Sequence, residues 1–276
     1  RPFPYPMENN TLCNRHSLGV NNHTKMYVTY TRIYGWSDYG GESSYQPGYR
    51  LENMMWMTLL VYDYIIPERK WNELDEFECI RDIYNFVRDE ILFGYNIDDS
   101  LPASKVLADG FGQCNTKGTL FMALLRACNI PCRIHGFMID KKVQKGAMTG
   151  IVYKNAPQKV FHSWVEVYHE NQWYELEGYI LDIMYLRKLQ NKNKKCTGTF
   201  CGYGVAIKDF QNPTIDFNRN NTYIQSEGIT QDFGIYDSPD DLLQVHHQEM
   251  SAVKAFMYKH LGRHLMNRNV KKIRNL

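Results

Sequence analysis

Cys114 closes the run Gly110-Phe111-Gly112-Gln113-Cys114, and Leu120, Phe121, Leu124 and Leu125 recur after it at helical spacing. A helix is therefore expected to begin at about this cysteine. A thiol attacks an amide or ester carbonyl only as thiolate. The start of a helix favours that form, because its free backbone N–H groups and the positive end of its dipole face the sulfur. Gly110 and Gly112 carry no side chain, which would let a substrate backbone come close. The thiol also needs a base. His162 opens the run Phe161-His162-Ser163-Trp164-Val165-Glu166-Val167-Tyr168. Its period-two pattern puts Val165 and Val167 on one strand face and His162, Trp164, Glu166 and Tyr168 on the other. In the next run, Gln172-Trp173-Tyr174-Glu175-Leu176-Glu177-Gly178, one face holds Trp173, Glu175 and Glu177. An acid can thus lie beside His162 and hold one ring nitrogen protonated while the other exchanges a proton with the thiol.

The elements that must position these groups read as α+β, helices followed by antiparallel strands. Residues 1–24 form an irregular arm, 25–34 a strand, and 35–48 a glycine-rich loop with aromatics. Helices are expected at 51–66 and at 72–92, where Phe77, Ile80, Ile83, Tyr84, Val87 and Ile91 keep helical spacing. Strands follow at 130–139, 159–168 and 172–176, the last two joined as a hairpin by His169-Glu170-Asn171. Beyond Tyr179 no clear pattern returns until Ser238-Pro239-Asp240-Asp241, an N-cap with Pro at the first helical position and acids in the first turn. A long helix running to about Asn267 is expected there, docking its stripe of Val253, Phe256, Met257 and Leu261 on the core.

The order, spacing and flanking residues of these blocks resemble the transglutaminase-like superfamily of papain-like cysteine enzymes. The first block is Gly110 to Cys114, followed by Leu120, Ala123-Leu124-Leu125-Arg126-Ala127, Ile130-Pro131-Cys132-Arg133 and Gly136. The second runs from His162 to Tyr168, and the third from Trp173 to Glu177. The resemblance covers about residues 82–178. It implies a papain-like core at about 72–180, its nucleophile on a helix N-terminus packed against an antiparallel sheet. Extensions at 1–71 and 181–276 would elaborate it within one domain. It further implies Cys114 as nucleophile, His162 as base, and Glu177 where the family usually has Asp, with Glu166 and Glu175 as alternatives. The reaction would be acyl transfer from a peptide or protein amide through a thioester, to water or an amine, without cofactor or metal. Nothing resembles a calcium site, so a peptidase or amidase is favoured over a crosslinking enzyme. An arylamine acetyltransferase would show Arg-Gly-Gly before its cysteine, and a peptide N-glycanase tight C-x2-C pairs; the sequence has neither. A non-catalytic binding module with the same fold is the competing reading. For the oxyanion, one donor should be the Cys114 N–H, with Gln113, Tyr95 or a tryptophan indole open as the second. Gly112, Gln113, Trp164 and Trp173 are candidates for the cleft, and Arg126 and Arg133 for structural ion pairs or carbonyl bonds.

Composition sets outer bounds. The 276 residues, 43% hydrophobic and 22% charged, suit a globular protein with a sizeable core. The apolar run from Met54 is interrupted by Asp63, so no membrane span is expected. Net charge is +2, but residues 254–276 hold seven Lys or Arg and no acid, leaving the remainder negative. Such a run is read as a solvated helix face, and nucleic acid is not implied. The seven cysteines, odd in number and loosely spaced, favour a reduced cytoplasmic protein, while a start at Arg1 without Met is compatible with export after signal removal. Cys128, Cys132, Cys196 and Cys201 are spaced too loosely for a zinc knuckle; a Cys196–Cys201 disulfide or free thiols fit better.

Overall fold

The computed structural model describes residues 65–276. The arm at 1–24, the strand expected at 25–34, the loop at 35–48 and nearly all of the helix at 51–66 lie outside them. A one-turn helix α1 (Ile66–Arg69) and a 3-10 turn (Trp71–Glu73) lead into α2 (Glu76–Asp89). Asp75 caps α2 by accepting the Glu78 N–H at 2.9 Å, so the helix starts later than its apolar spacing alone suggested. Next come β1 (Leu92–Phe93), α3 (Ala103–Asp109), β2 (Phe111–Gly112) and α4 (Cys114–Ala127). Gly110 ends α3 in the left-handed region, φ 68°, where a side chain would be strained.

The sheet is built from β3 (Cys132–Asp140), β4 (Lys159–His169), β5 (Gln172–Leu176) and β8 (Ile229–Tyr236), in the antiparallel order β5-β4-β3-β8. Between these strands lie α5 (Gly150–Asn155), α6 (Ile183–Lys192) and the small hairpin of β6 (Phe200–Gly202) and β7 (Val205–Ile207). The register pairs Phe137 with His162 and Val165 with Leu176. Strand β8 was not foreseen. It is an edge strand with no buried side chain, bent by Gly234 at φ 83° and by two register shifts against β3, so no apolar alternation marks it.

Helix α4 packs closely on the sheet at Gly118. A Cβ there would come within 2.9 Å of the Tyr179 hydroxyl and 3.6 Å of Val165. One residue closer to the helix start, Lys117 is fully buried, and its Nζ donates to the carbonyls of Arg88 (3.2 Å) and Ile180 (3.0 Å). Two acceptors match the two hydrogens of a neutral amine. Burial pushes this lysine down to about 7 against the pull of Asp182 and Asp89.

The expected C-terminal helix is divided into α7 (Pro239–Val245), α8 (Ala252–Met257), a π turn (Tyr258–Gly262) and α9 (Arg263–Arg274). Ser238 caps α7 as expected, accepting the Asp241 N–H at 3.1 Å. The break after α7 has a cause: β5 leaves the first residues of β4 unpaired on that side, and Gln248 bonds there instead. Its Oε1 accepts the Phe161 N–H at 2.8 Å, and its Nε2 donates to the Lys159 carbonyl at 3.3 Å. The docking stripe was also misplaced. Val253, Phe256, Met257 and Leu261 are 73%, 61%, 49% and 46% exposed, whereas Met266, Val270 and Ile273 are buried. The π turn changes the phase of the apolar pattern, so the buried row falls on Gly262, Met266, Val270 and Ile273.

Two outcomes follow from this packing. Met266→Ala should cost about 3 kcal/mol in urea unfolding, while Phe256→Ser should stay within about 0.5 kcal/mol. Lys117 adds a pH dependence. Between about pH 7 and 10.5 the unfolded lysine binds a proton that the folded one does not, so its contribution to stability increases with pH across that window. The urea midpoint should therefore gain more from pH 7 to pH 9 in the wild type than in Lys117→Met.

Candidate active site

Cys114 is the first residue of α4, where the opening N–H groups have no partner within the helix. The turn before it is held by the Thr116 hydroxyl, which accepts the Gln113 N–H at 3.1 Å. Gly112 lies beneath this turn, where a Cβ would sit 2.7 Å from Thr116 Oγ1 and 2.9 Å from Lys117 Cγ. Gly112 thus serves close packing under the helix start.

His162 and Glu177 are completely buried, and Cys114 is 8% exposed. His162 Nε2 donates to Glu177 Oε1 at 2.7 Å. The imidazole Nδ1 is buried with no nitrogen or oxygen partner among the described residues and is left to the Cys114 thiol. Burial alone would lower the histidine pKa. The charge and hydrogen bond of Cys114, followed by those of Glu177, overcome this and push it from 6.5 up to about 10. At neutral pH the ring therefore keeps its proton.

Glu177 follows the last residue of β5, and its second oxygen accepts the backbone N–H groups of Ile224 (2.7 Å) and Gln225 (2.9 Å). Thr222 locks the same corner: its carbonyl and hydroxyl accept the Glu177 N–H at 2.9 and 3.2 Å. The other two acids have different partners. Glu166 binds Arg133 at 2.6 Å and His135 at 2.9 Å, and Glu175 accepts from the Tyr223 hydroxyl. Of the three, Glu177 is the one at the histidine.

The remaining candidates are dispersed. Gln113 is committed to the neighbouring loop, its Nε2 donating to Asp99 at 2.9 Å and its Oε1 accepting the Asn96 N–H at 2.8 Å. Tyr95 donates its hydroxyl to Gln144 at 2.5 Å. Trp164 is buried against Phe137, with ring centroids 4.1 Å apart, and its indole N–H has no partner among the described residues. Trp173 pairs with Tyr168, six residues along β4 from His162 and roughly 20 Å away at strand rise, with the Arg133 guanidinium 3.8 Å from its ring centroid. It does not border the site. Arg126 and Arg133 are structural as expected, Arg126 donating to the carbonyls of Cys132 and Asp237. The six described cysteines are free, and the described residues hold no group of metal-ligating side chains. The 222–225 segment was missed by sequence reasoning, since its contribution is backbone N–H groups and carries no side-chain signature.

Residues 68–178, which include Cys114, His162 and Glu177, match the family model of the transglutaminase-like superfamily. This part of the chain is an α+β core with a transglutaminase-like fold. Among solved structures, a Cytophaga hutchinsonii protein provisionally assigned as a cysteine protease aligns with a TM-score of 0.36 and 13% identity, covering 71% of this chain and 46% of that one. The chain thus spans less than half the length of that protein. No curated protein matches. Among the described residues no helix is long and apolar enough to cross a membrane.

Glu177 bridges His162 on one side and two backbone amides on the other, which sets clear expectations for its variants. Glu177→Gln removes the charge and presents a donor to one of these partners, so kcat on any cleaved peptide should fall by about 100-fold or more with KM little changed. Glu177→Asp cannot reach both sides and should lose about tenfold. Steady-state kinetics should find Glu166→Gln and Glu175→Gln mild by comparison. The reverse order would move the acid role away from Glu177.

Proposed function

We propose that this protein is a cysteine peptidase or amidase in which Cys114 attacks, His162 transfers the proton and Glu177 orients the histidine. The Cys114 sulfur adds to an amide carbonyl, and the resulting oxyanion is stabilised by backbone N–H at the start of α4, that of Cys114 included. Collapse breaks the C–N bond. The amine leaves with the proton of His162, and a thioester remains on Cys114. Water then gives a proton to His162 as its oxygen attacks the thioester; breaking of the C–S bond releases the acid and restores the thiolate and imidazolium. The observation that carries this reading is the buried His162–Glu177 bond, which leaves Nδ1 to the thiol at a helix start. Transamidation shares the first half of the cycle, with an amine in place of water.

Mass spectrometry after exposure to a peptide library should find an acyl group on Cys114, and products bearing either water or added amine identify the acceptor. Cys114→Ala should form no adduct and retain less than a thousandth of the turnover with an unchanged circular dichroism spectrum. Turnover above a tenth of wild type in that variant would exclude Cys114 as the nucleophile.

A further inference from the structure

The loop at 95–99 holds the chain on both sides of Cys114. Asn96 is buried, and both ends of its side chain are used: Nδ2 donates to the Phe111 carbonyl at 3.1 Å, and Oδ1 accepts the Thr116 hydroxyl at 2.7 Å. These contacts lie three residues before and two after the cysteine. Asp99 makes a further contact. Its carboxylate accepts Gln113 Nε2 at 2.9 Å, from the residue immediately before Cys114, and the Asn115 side chain, immediately after it, favours the charged form of the same carboxylate. Asn115 then continues toward the base, since its Oδ1 accepts the hydroxyl of Ser163, the neighbour of His162, at 2.8 Å.

The loop is fixed from its outer side as well. Tyr95 exchanges backbone hydrogen bonds with the Asn267 side chain at 2.7 and 3.0 Å, and the Tyr258 hydroxyl donates to the Asn96 carbonyl at 2.9 Å. The C-terminal helices therefore brace the loop, and the loop braces the helix start. Hydrogen bonds on both flanks restrict rotation of the first turn of α4 about its axis, and that rotation sets the direction of the Cys114 Cβ–Sγ bond. Misplacing a reacting atom by about 1 Å can cost about 100-fold in rate.

We propose that Asp99 and Asn96 are positioning residues that hold Cys114 in line with His162. The proposal rests on Cys114 being the nucleophile and adds that its aim is set by a loop outside the Cys-His-Glu set. Asp99→Ala should lower kcat by about tenfold with KM changed less than twofold while the protein stays folded. Asp99→Asn keeps one acceptor and should recover part of the loss. Iodoacetamide labelling of Cys114 at pH 7, read by mass spectrometry, should slow several-fold in Asp99→Ala and less in Asp99→Asn. This readout needs no substrate, so it decides the proposal even if no peptide is cleaved, an outcome that would refute the peptidase reading alone. Asn96→Ala should show the same kinetic pattern where it folds; where it does not, the Asp99 pair decides. A folded Asp99→Ala protein with wild-type labelling rate, and wild-type kcat on any cleaved peptide, would overturn the proposal.

Discussion

Much of the structure around the site follows from burying one carboxylate. Glu177 has no exposed surface, and an ionised carboxyl group there is tolerable only if its oxygens are fully hydrogen-bonded. One oxygen takes the His162 ring and the other takes two backbone N–H groups from the 222–225 segment. That requirement draws together strand β4, the end of β5 and a stretch of chain some 47 residues further on. The Thr222 carbonyl and hydroxyl complete the corner by accepting the Glu177 N–H. The Glu177 side chain is long enough to span the histidine on one side and the facing amides on the other.

The consequence for His162 is electrostatic. A buried imidazole in apolar surroundings would shed its proton, yet the thiol and the carboxylate outweigh that tendency. The protonated ring is held in one orientation by the carboxylate at Nε2, which leaves Nδ1 for the sulfur. Cys114 is kept in place by a different set of contacts, from the loop at 95–99 and from Lys117 one turn into α4. Lys117 joins α4 to the carbonyls of Arg88 and Ile180, the latter three residues beyond Glu177. Both ends of the Cys-His-Glu arrangement are thus tied to the same helix.

The C-terminal segment has two distinct faces. Its inward residues, Tyr258 and Gln248, bond to the Asn96 carbonyl and the Phe161 N–H, in the loop at 95–99 and in strand β4 respectively. The outward residues, Phe256 and Leu261 among them, are exposed because the π turn shifts the phase at which the helices meet the core.

Amino-acid order alone was enough to locate the helix start at Cys114, the hairpin of β4 and β5 with His162 and Glu177, and the Ser238 cap. Each of these is written in local pattern: helical spacing, two-residue alternation, or a capping side chain before an apolar run. The α+β core was legible for the same reason. Choosing Glu177 over Glu166 and Glu175 was a matter of tertiary structure, since alternation and β5 register put all three acids toward one side and only the surrounding amides, Arg133 and Tyr223 distinguish them. Tertiary structure also set Trp173 apart from His162, phased the C-terminal helices and supplied β8. Backbone donors from 224–225, an edge strand completed by pairing with β3, and a loop whose polar side chains meet α4 across some fifteen residues leave no periodic trace, because their partners are distant in sequence and their stabilisation appears only once the chain is packed.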